Sequence, residues 1–209
     1  MSEVLGAVPG LTVRSVGPHA ALVEVADHWQ ALALARWVRR SSVDCADVVP
    51  AARTVLVDGL RTTQELLELL RSWPGPEALG PGDELVHVPV RYRGVDLERV
   101  ARLWQVSPDE VIVRHTGLEL VSAFCGFAPG FSYLAGLPPE WAVPRLDTPR
   151  PRVEPGSVAL ADTWCGIYPS ASPGGWLLLG VTDLRVWDPS RAGHPCLLSP
   201  GTRVRFVAA

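Results

Sequence analysis

WPGPEALGPG, residues 73–82, divides the chain into two parts with different sequence character. Prolines cannot continue a helix and glycines favour turns, so no regular element is expected to cross this stretch. We therefore place a domain boundary here, with a first domain at residues 1–82 and a second at residues 83–209.

On the N-terminal side, strand-like and helix-like segments alternate. Residues 11–16, 21–26 and 53–57 are rich in β-branched residues and are predicted to be strands. Residues 28–40 carry apolar side chains at helical spacing, and Thr62 with Glu65 forms a capping-box pattern that predicts the start of a second helix. These segments predict a small α+β domain.

On the C-terminal side, the pattern predicts one strand and two helices, followed by a region rich in short strands. The strand is expected at 84–91, and the helices at 96–104 and from Ser107 to about 115–117, where Gly117 is well placed to close the second helix as a glycine cap. From residue 126 to residue 200, dense prolines and glycines separate short apolar runs, which excludes long helices and favours a barrel or a sandwich. The runs lie at 157–161, 176–181, 184–187 and 203–207.

The composition is that of a folded globular protein and excludes no small-molecule chemistry. The chain has 209 residues, 47% hydrophobic and 20% charged, with a net charge of −3, so binding to nucleic acid or to an acidic membrane is not expected. The sequence predicts neither a signal peptide nor a membrane-spanning apolar run of about 20 residues. The four cysteines form no CxxC pair, so neither a metal site nor a disulfide framework is predicted, and the cytoplasm is the expected compartment.

The sequence contains no lysine, and all 19 basic residues are arginines. A Walker-type phosphate loop needs its lysine, and Schiff-base or biotinyl attachment needs an amine. These mechanisms are therefore excluded from this chain.

Residues 125–134 form the first of three candidate site segments. Gly126, Pro129 and Gly130 allow the backbone to approach a ligand closely, and aromatic side chains provide flat walls. The alternative is a rigid hairpin that only packs. The aromatic residues are Phe127, Phe131 and Tyr133.

The second segment carries three arginines on a proline-stiffened, extended chain. Arg145, Arg150 and Arg152 each follow a proline, which positions their guanidinium groups at little entropic cost. Guanidinium groups bind carboxylate or phosphate through two parallel hydrogen bonds. The alternative is a solvated loop whose arginines pair with surface acids.

The third segment, residues 165–176, combines a tight turn with a tyrosine. Ser172, Gly174 and Gly175 belong to a turn whose backbone amides can hold an anion, and Tyr168 can donate a hydrogen bond to a developing oxyanion. A nucleophilic Ser172 or Cys165 would need a base, for which His115 is the best candidate. Alternatively, Cys165 is a buried thiol and His115 stabilises a helix end.

Together, these segments resemble the allophanate hydrolase subunit 1 family, which includes the B-type subunits of 5-oxoprolinase and is also named for KipI. The resemblance lies in Gly-Phe-x-Pro-Gly-Phe-x-Tyr-Leu at 126–134, the Pro-Arg repeats, Gly-Ile-Tyr-Pro at 166–169 and Ser-Pro-Gly-Gly-Trp at 172–176. His115-Thr116 also fits, whereas Cys165 and Val181 depart from the residues common in the family. The N-terminal half resembles the family more loosely.

The resemblance implies a C-terminal cyclophilin-like β-barrel after a small α+β domain. It also implies a subunit that is inactive alone and joins a C-type subunit (allophanate hydrolase subunit 2-like) and an A-type hydrolase subunit in ATP-dependent opening of 5-oxoproline to glutamate. Since the Walker lysine is absent, ATP is expected in a non-P-loop site, either on this chain or shared with a partner. The departures at Cys165 and Val181 leave allophanate or another amide open as the substrate.

Roles within such an enzyme follow from residue type and motif position. His115 and Tyr168 are the candidate catalytic residues that move a proton. The candidate substrate-binding residues are Gly126, Pro129, Gly130, Arg145, Arg150, Arg152, Ser172, Gly174 and Gly175. Two alternatives stay open: a regulatory protein that inhibits a sensor histidine kinase, and a carboxyltransferase component of a urea carboxylase-like system.

Overall fold

A computed structural model describes residues 4–76 and 84–209. The chain divides into two compact units, Met1–Gly80 and Pro81–Ala209. The predicted boundary between residues 82 and 83 lies outside the described residues.

The N-terminal unit is an antiparallel sheet with two helices. The five strands follow the order β1-β2-β3-β5-β4, and apolar residues of the sheet and of both helices form one core. The Asp27 and Thr62 side chains cap the two helices by accepting from the amides of Gln30 (2.8 Å) and Glu65 (3.4 Å). The elements are β1 (Val4–Val8), β2 (Leu11–Ser15), β3 (Ala20–Glu24), α1 (His28–Arg39), β4 (Asp47–Pro50), β5 (Thr54–Asp58) and α2 (Thr63–Leu70).

The C-terminal unit is a barrel-like sheet of seven strands. They follow the order β13-β10-β11-β8-β7-β14-β6, and Arg91, directly after β6, bridges to Val181 of β13 through two backbone hydrogen bonds of 2.9 and 3.0 Å. The ends of the sheet therefore meet, and a separate pair, β9 and β12, lies outside the seven-stranded sheet. The elements are β6 (Leu85–Val90), α3 (Leu97–Trp104), α4 (Pro108–Gly117), β7 (Leu120–Cys125), β8 (Ser132–Ala135), β9 (Arg150–Val153), β10 (Ser157–Ala161), β11 (Trp164–Ile167), β12 (Ser172–Gly174), β13 (Leu177–Val181) and β14 (Arg203–Ala208).

The predicted fold class, an α+β unit followed by a β-barrel, is confirmed. In residues 4–76 and 84–209, no helix is long and apolar enough to cross a bilayer.

The barrel wall separates two apolar clusters because strand side chains alternate between faces. Along β11, Cys165 and Ile167 belong to the barrel interior, whereas Trp164 and Tyr168 belong to a second cluster on the outer face. On β10, Leu160 faces the interior and Ala159 the outer cluster. The chain therefore buries side chains on both sides of these strands.

Two local predictions are wrong. Residues 184–187 form no strand; Trp187 makes only an isolated bridge with Cys196, because a loop replaces the expected ladder. Gly117 belongs to the last turn of α4 and has no positive φ, since the chain leaves the helix through an extended Leu118 instead of a glycine cap.

Candidate functional site

The three loop segments meet at a single open cleft of about 240 Å³ on the outer face of the barrel. The β7–β8 loop and β8 form one wall, the chain before β9 another, and the β12 turn with its preceding tyrosine the third. The lining residues are Phe127, Phe131, Tyr133, Arg145, Pro149, Tyr168, Pro173, Gly174, Gly175 and Trp176.

An aromatic cluster forms most of the cleft wall. Phe131 is buried at its centre and makes edge-to-face contacts with its neighbours, the geometry that aromatic quadrupoles favour. Its ring centroid lies 5.2 to 5.4 Å from the centroids of Phe127, Tyr133, Tyr168 and Trp176.

Phe127 presents an aromatic ring at the mouth of the cleft. Its side chain is 61% exposed and its backbone has a φ of 71°, a left-handed conformation that costs a residue with a Cβ roughly 1–2 kcal/mol. The ring lies nearly perpendicular to the rings of Phe131 and Tyr168, at 5.3 and 6.2 Å between centroids. The loop thus holds a large apolar surface in solvent in a strained conformation.

Arg145 is the charged residue of the cleft. It is exposed, and no carboxylate in the described part of the chain pairs with it. Its guanidinium lies next to Gly175, where an added Cβ would stand 3.8 Å from both Nε and Nη2. The neighbouring Leu146 amide donates to the Gly175 carbonyl oxygen at 2.7 Å, which joins the second segment to the third.

Arg150 forms a partly buried ion pair with Asp96 and does not line the cleft. One of its nitrogens donates to both carboxylate oxygens of Asp96, at 2.8 and 2.7 Å, and another to the Trp176 carbonyl oxygen at 3.2 Å. Asp96 also accepts from the Leu178 amide at 2.7 Å. These contacts give Arg150 a structural role in place of the predicted contact with substrate.

Arg152 pairs with Glu154 on the surface. The Nε–Oε1 distance is 2.7 Å, and the side chains are 66% and 64% exposed. For Arg152, the structure thus shows the alternative in which an arginine of the second segment pairs with a surface acid. Of the three predicted arginines, Arg145 alone lines the cleft.

Tyr168 is held by the chain that follows the β12 turn. The Trp176 amide hydrogen-bonds to its side-chain oxygen, and burial raises the pKa of Tyr168. The phenol therefore stays protonated at neutral pH and can donate a hydrogen bond.

Gly174 leaves room for the Tyr168 hydroxyl, because a Cβ at residue 174 would overlap that oxygen. We expect Gly174→Ala to lower the free energy of unfolding by about 1–3 kcal/mol, as the buried ring cannot shift without repacking. Urea unfolding measures this change. The matched control is Gly117→Ala, which adds its Cβ in open space on a helix and should not destabilise the chain. Gly193 also has open space around it but is not a suitable control, because its positive φ would strain an alanine. Equal stability of the Gly174→Ala and Gly117→Ala variants would refute this packing.

His115 lies in the barrel interior, not in the cleft. Its Nδ1 is 2.6 Å from the Tyr92 hydroxyl, its Nε2 is 3.4 Å from the Cys165 Sγ, and its ring stacks on Phe206. Because Cys165 and Tyr168 lie on opposite faces of the barrel wall, His115 does not share a site with Tyr168. His115 and Cys165 are both fully buried, and burial raises the pKa of the thiol. The structure therefore gives His115 a packing role in place of the predicted catalytic one.

Burial also lowers the pKa of His115 to about 3, below the 6.5 of an exposed histidine. Since the unfolded chain takes up this proton more readily, the stability that His115 contributes is complete above pH 6.5 and is lost as the pH falls towards 3. Between pH 7 and pH 5, we expect His115 to lower the free energy of unfolding by about 2 kcal/mol. Urea unfolding at both pH values should show this loss in the wild type and in the exposed-site variant His194→Gln, but not in His115→Gln. A loss of the same size in His115→Gln would be inconsistent with a buried neutral imidazole.

The remaining predicted positions shape the loops around the cleft. The Gly126 amide donates to the Phe131 carbonyl oxygen at 3.2 Å, so it is already engaged. Gly130 has a φ of 83° and lies against Trp187, where a Cβ would approach the Trp187 Cβ to 2.5 Å. Pro129 lies between them in the same loop. The buried Ser172 Oγ has no hydrogen-bond partner among the described residues.

Two structurally important residues were assigned no site role from the sequence. From the sequence, Asp96 is the start of a predicted helix, and its pairing with Arg150 depends on the barrel fold because the two residues are 54 positions apart. The sequence places Trp176 at the end of the third segment and at the start of a strand, without a role at the site. A tryptophan directly after a glycine turn is the signal that could have indicated an aromatic wall.

Fold and cleft together define a two-unit protein whose β-barrel carries, on its outer face, an open cleft lined by aromatic residues and one arginine. Residues 11–198 match the family model described as "Carboxyltransferase domain, subdomain C and D". The chain therefore belongs to this family, and the resemblance to B-type subunits of 5-oxoprolinase found in its motifs is confirmed.

Curated relatives and a solved structure agree with this assignment. The chain is 44% identical to the B-type 5-oxoprolinase subunit of Escherichia coli O157:H7 over 142 residues, which cover 66% of this chain and 65% of that protein. It is 34% identical to the B-type 5-oxoprolinase subunit of Haemophilus influenzae over 201 residues, which cover 93% and 92%. The crystal structure of TTHA0988 in space group P212121 superposes with a TM-score of 0.74 at 37% identity and covers 91% of this chain and 39% of that one. The match thus spans less than two thirds of the Escherichia coli relative.

Proposed function

We propose that the chain is the B-type subunit of an ATP-dependent amidohydrolase complex that opens 5-oxoproline to glutamate. The family membership and the relatives named as B-type subunits of 5-oxoprolinase support this proposal. A C-type subunit and an A-type hydrolase subunit are the proposed partners, and the chain alone is proposed to be inactive.

The observation that carries the proposal is the position of Arg145 beside an aromatic cleft. 5-Oxoproline is a five-membered cyclic amide with one carboxylate, so it needs a cation and an apolar surface close together. Arg145 has no carboxylate partner among the described residues, and aromatic rings line the same cleft. Of the residues in the cleft, Arg145 thus provides the charge and the rings provide the surface.

Each lining group has a defined task in this proposal. The Arg145 guanidinium binds the substrate carboxylate through two hydrogen bonds. Phe127 and Phe131 contact the faces and edges of the lactam ring and exclude water from it. The Tyr168 hydroxyl, kept protonated by burial, donates to the lactam carbonyl oxygen and favours the charge that develops there.

The lining residues do not fit a nucleoside triphosphate. The cleft has one guanidinium, its walls are largely aromatic, and its volume of about 240 Å³ is below the ~300–1,000 Å³ of typical drug-sized ligand sites. The proposal therefore assigns ATP to a site on a partner subunit or shared with it, and no step at this cleft involves the nucleotide.

The test is co-purification of the chain with its C-type and A-type partners, followed by an assay for glutamate released from 5-oxoproline. We expect release that requires ATP and all three chains. A complex that turns over allophanate but not 5-oxoproline would overturn the assignment of 5-oxoproline as the substrate. Recovery of a sensor histidine kinase without a C-type subunit would support the inhibitor alternative and overturn the proposed complex.

A carboxyltransferase component is the second candidate, and the description of the matching family model favours it. It requires a partner that carries biotin, because this chain has no lysine for biotinylation. Inhibition of the purified complex by avidin would support this candidate, whereas activity that avidin does not change would exclude it.

A further inference from the structure

Cys125 and Cys196 lie next to each other although 71 positions separate them in the sequence. Their sulfur atoms are 3.8 Å apart, and both side chains are partly buried. A disulfide needs a sulfur–sulfur distance of about 2.05 Å, so a small rotation of the side chains has to close less than 2 Å. The pair is thus placed for direct oxidation.

The surroundings favour a thiolate at Cys196. The hydrogen bond between the two sulfurs has the largest effect on the pKa of Cys196. Together with hydrogen bonds from the Leu198 backbone and the Ser199 side chain, it outweighs the opposing effect of burial and lowers this pKa to about 7. The thiolate is the form that attacks a disulfide. Cys45, which is also partly exposed, differs because burial, Asp44 and Asp47 raise its pKa.

The pair lies at the base of the loop that carries Phe127. Cys125 is the last residue of β7, directly before that loop, and Cys196 bridges to Trp187. Trp187 in turn packs against the backbone of Gly130 in the same loop. A bond between the two sulfurs would therefore fix the 187–196 segment to the strand that leads into the cleft wall.

We propose that Cys125 and Cys196 form a reversible dithiol–disulfide site that reacts with small-molecule disulfides. The Cys196 thiolate attacks one sulfur of the reagent, forms a mixed disulfide and releases one small thiolate. The Cys125 thiolate then attacks the Cys196 sulfur, closes the intramolecular disulfide and releases the second thiolate. Two protein thiols are oxidised, the reagent is reduced to two thiols, and solvent exchanges the protons.

The test is treatment of the reduced full chain with oxidised glutathione, followed by blocking of the remaining thiols and peptide mass spectrometry. We expect a cross-link between the Cys125 and Cys196 peptides that dithiothreitol reverses, and Cys45 should react more slowly. Cys45→Ser is the matched control and should form the same cross-link. Cross-links that involve Cys45 or Cys165, or glutathione adducts without the internal bond, would overturn the proposal.

Two variants separate the two steps. In Cys125→Ser, the mixed disulfide at Cys196 should persist, because the second thiol is missing. In Cys196→Ser, Cys125 should remain mostly unmodified, and an equally fast adduct there would contradict the assigned order. The cross-link in the wild-type protein decides the proposal even if a variant does not fold. Because no substrate is involved, the result is independent of the proposed function.

Discussion

Replacing Asp96 with alanine is expected to lower the free energy of unfolding by about 3–5 kcal/mol, since it leaves the partly buried Arg150 guanidinium without its carboxylate. Asp96 is 5% exposed and accepts hydrogen bonds from Arg150 and from the Leu178 amide. Removal of the carboxylate therefore disrupts the connection between β9 and β13. Urea unfolding of the purified chain measures the change.

Glu154→Ala is the matched control for this variant. It removes the carboxylate of an exposed arginine pair, whose contribution is about 0–1 kcal/mol. If Asp96→Ala destabilised the chain no more than Glu154→Ala does, the ion pair between Asp96 and Arg150 would not be what stabilises the strands next to the cleft.

Arg145→Ala is expected to reduce kcat/KM of the reconstituted complex for 5-oxoproline between tenfold and about 100-fold. A hydrogen-bonded pair with a charged group contributes about 1.5–3 kcal/mol, and tenfold corresponds to about 1.4 kcal/mol. Because Arg145 is exposed and pairs with no described carboxylate, the stability of the chain should change little. Steady-state kinetics and urea unfolding measure the two effects.

Two further variants show whether the effect belongs to the site. Arg152→Ala removes an equal charge outside the cleft and should leave kcat/KM unchanged. Arg145→Lys keeps the charge but lacks the planar fork, so an intermediate value is expected. The same loss in Arg152→Ala and Arg145→Ala would show that general surface charge, not this contact, determines the rate.

Local patterns predicted most of the described elements before the barrel. Thr62 and Ser107 cap their helices as expected, because capping depends on residues only three positions apart. Strands β1 and β4 were missed: Gly6 interrupts the pattern of β1, and β4 has four residues and ends in Pro50. Their pairing with neighbouring strands determines them more than their own sequence does.

Local patterns were less informative within the barrel region. β7 and β8 flank the glycine-rich loop, and the sequence patterns predict neither of them as a strand. Residues 184–187 have the composition of a strand but lack a neighbouring strand with which to form a ladder, apart from the single bridge of Trp187. Strand composition thus indicates capacity for pairing, and the topology decides whether the pairing occurs.

Local sequence patterns also predict only part of the candidate site. Glycines, prolines and aromatic residues identified the three segments that line the cleft, because those residue types determine where backbone and rings can approach a ligand. The sequence could not show which arginine is already paired, since the partner of Arg150 lies 54 positions away. It also could not show that Cys165 and His115 face the interior, which depends on the alternation of β11 in the closed sheet.

The central claim is that Arg145 and the aromatic cleft bind the carboxylate and the ring of one small cyclic amide. A crystal structure of the assembled complex with 5-oxoproline tests it most directly. We expect the ligand carboxylate within hydrogen-bond distance of the Arg145 guanidinium and the ring against Phe131. Well-ordered 5-oxoproline bound elsewhere in the complex, with this cleft filled only by water, would contradict the claim.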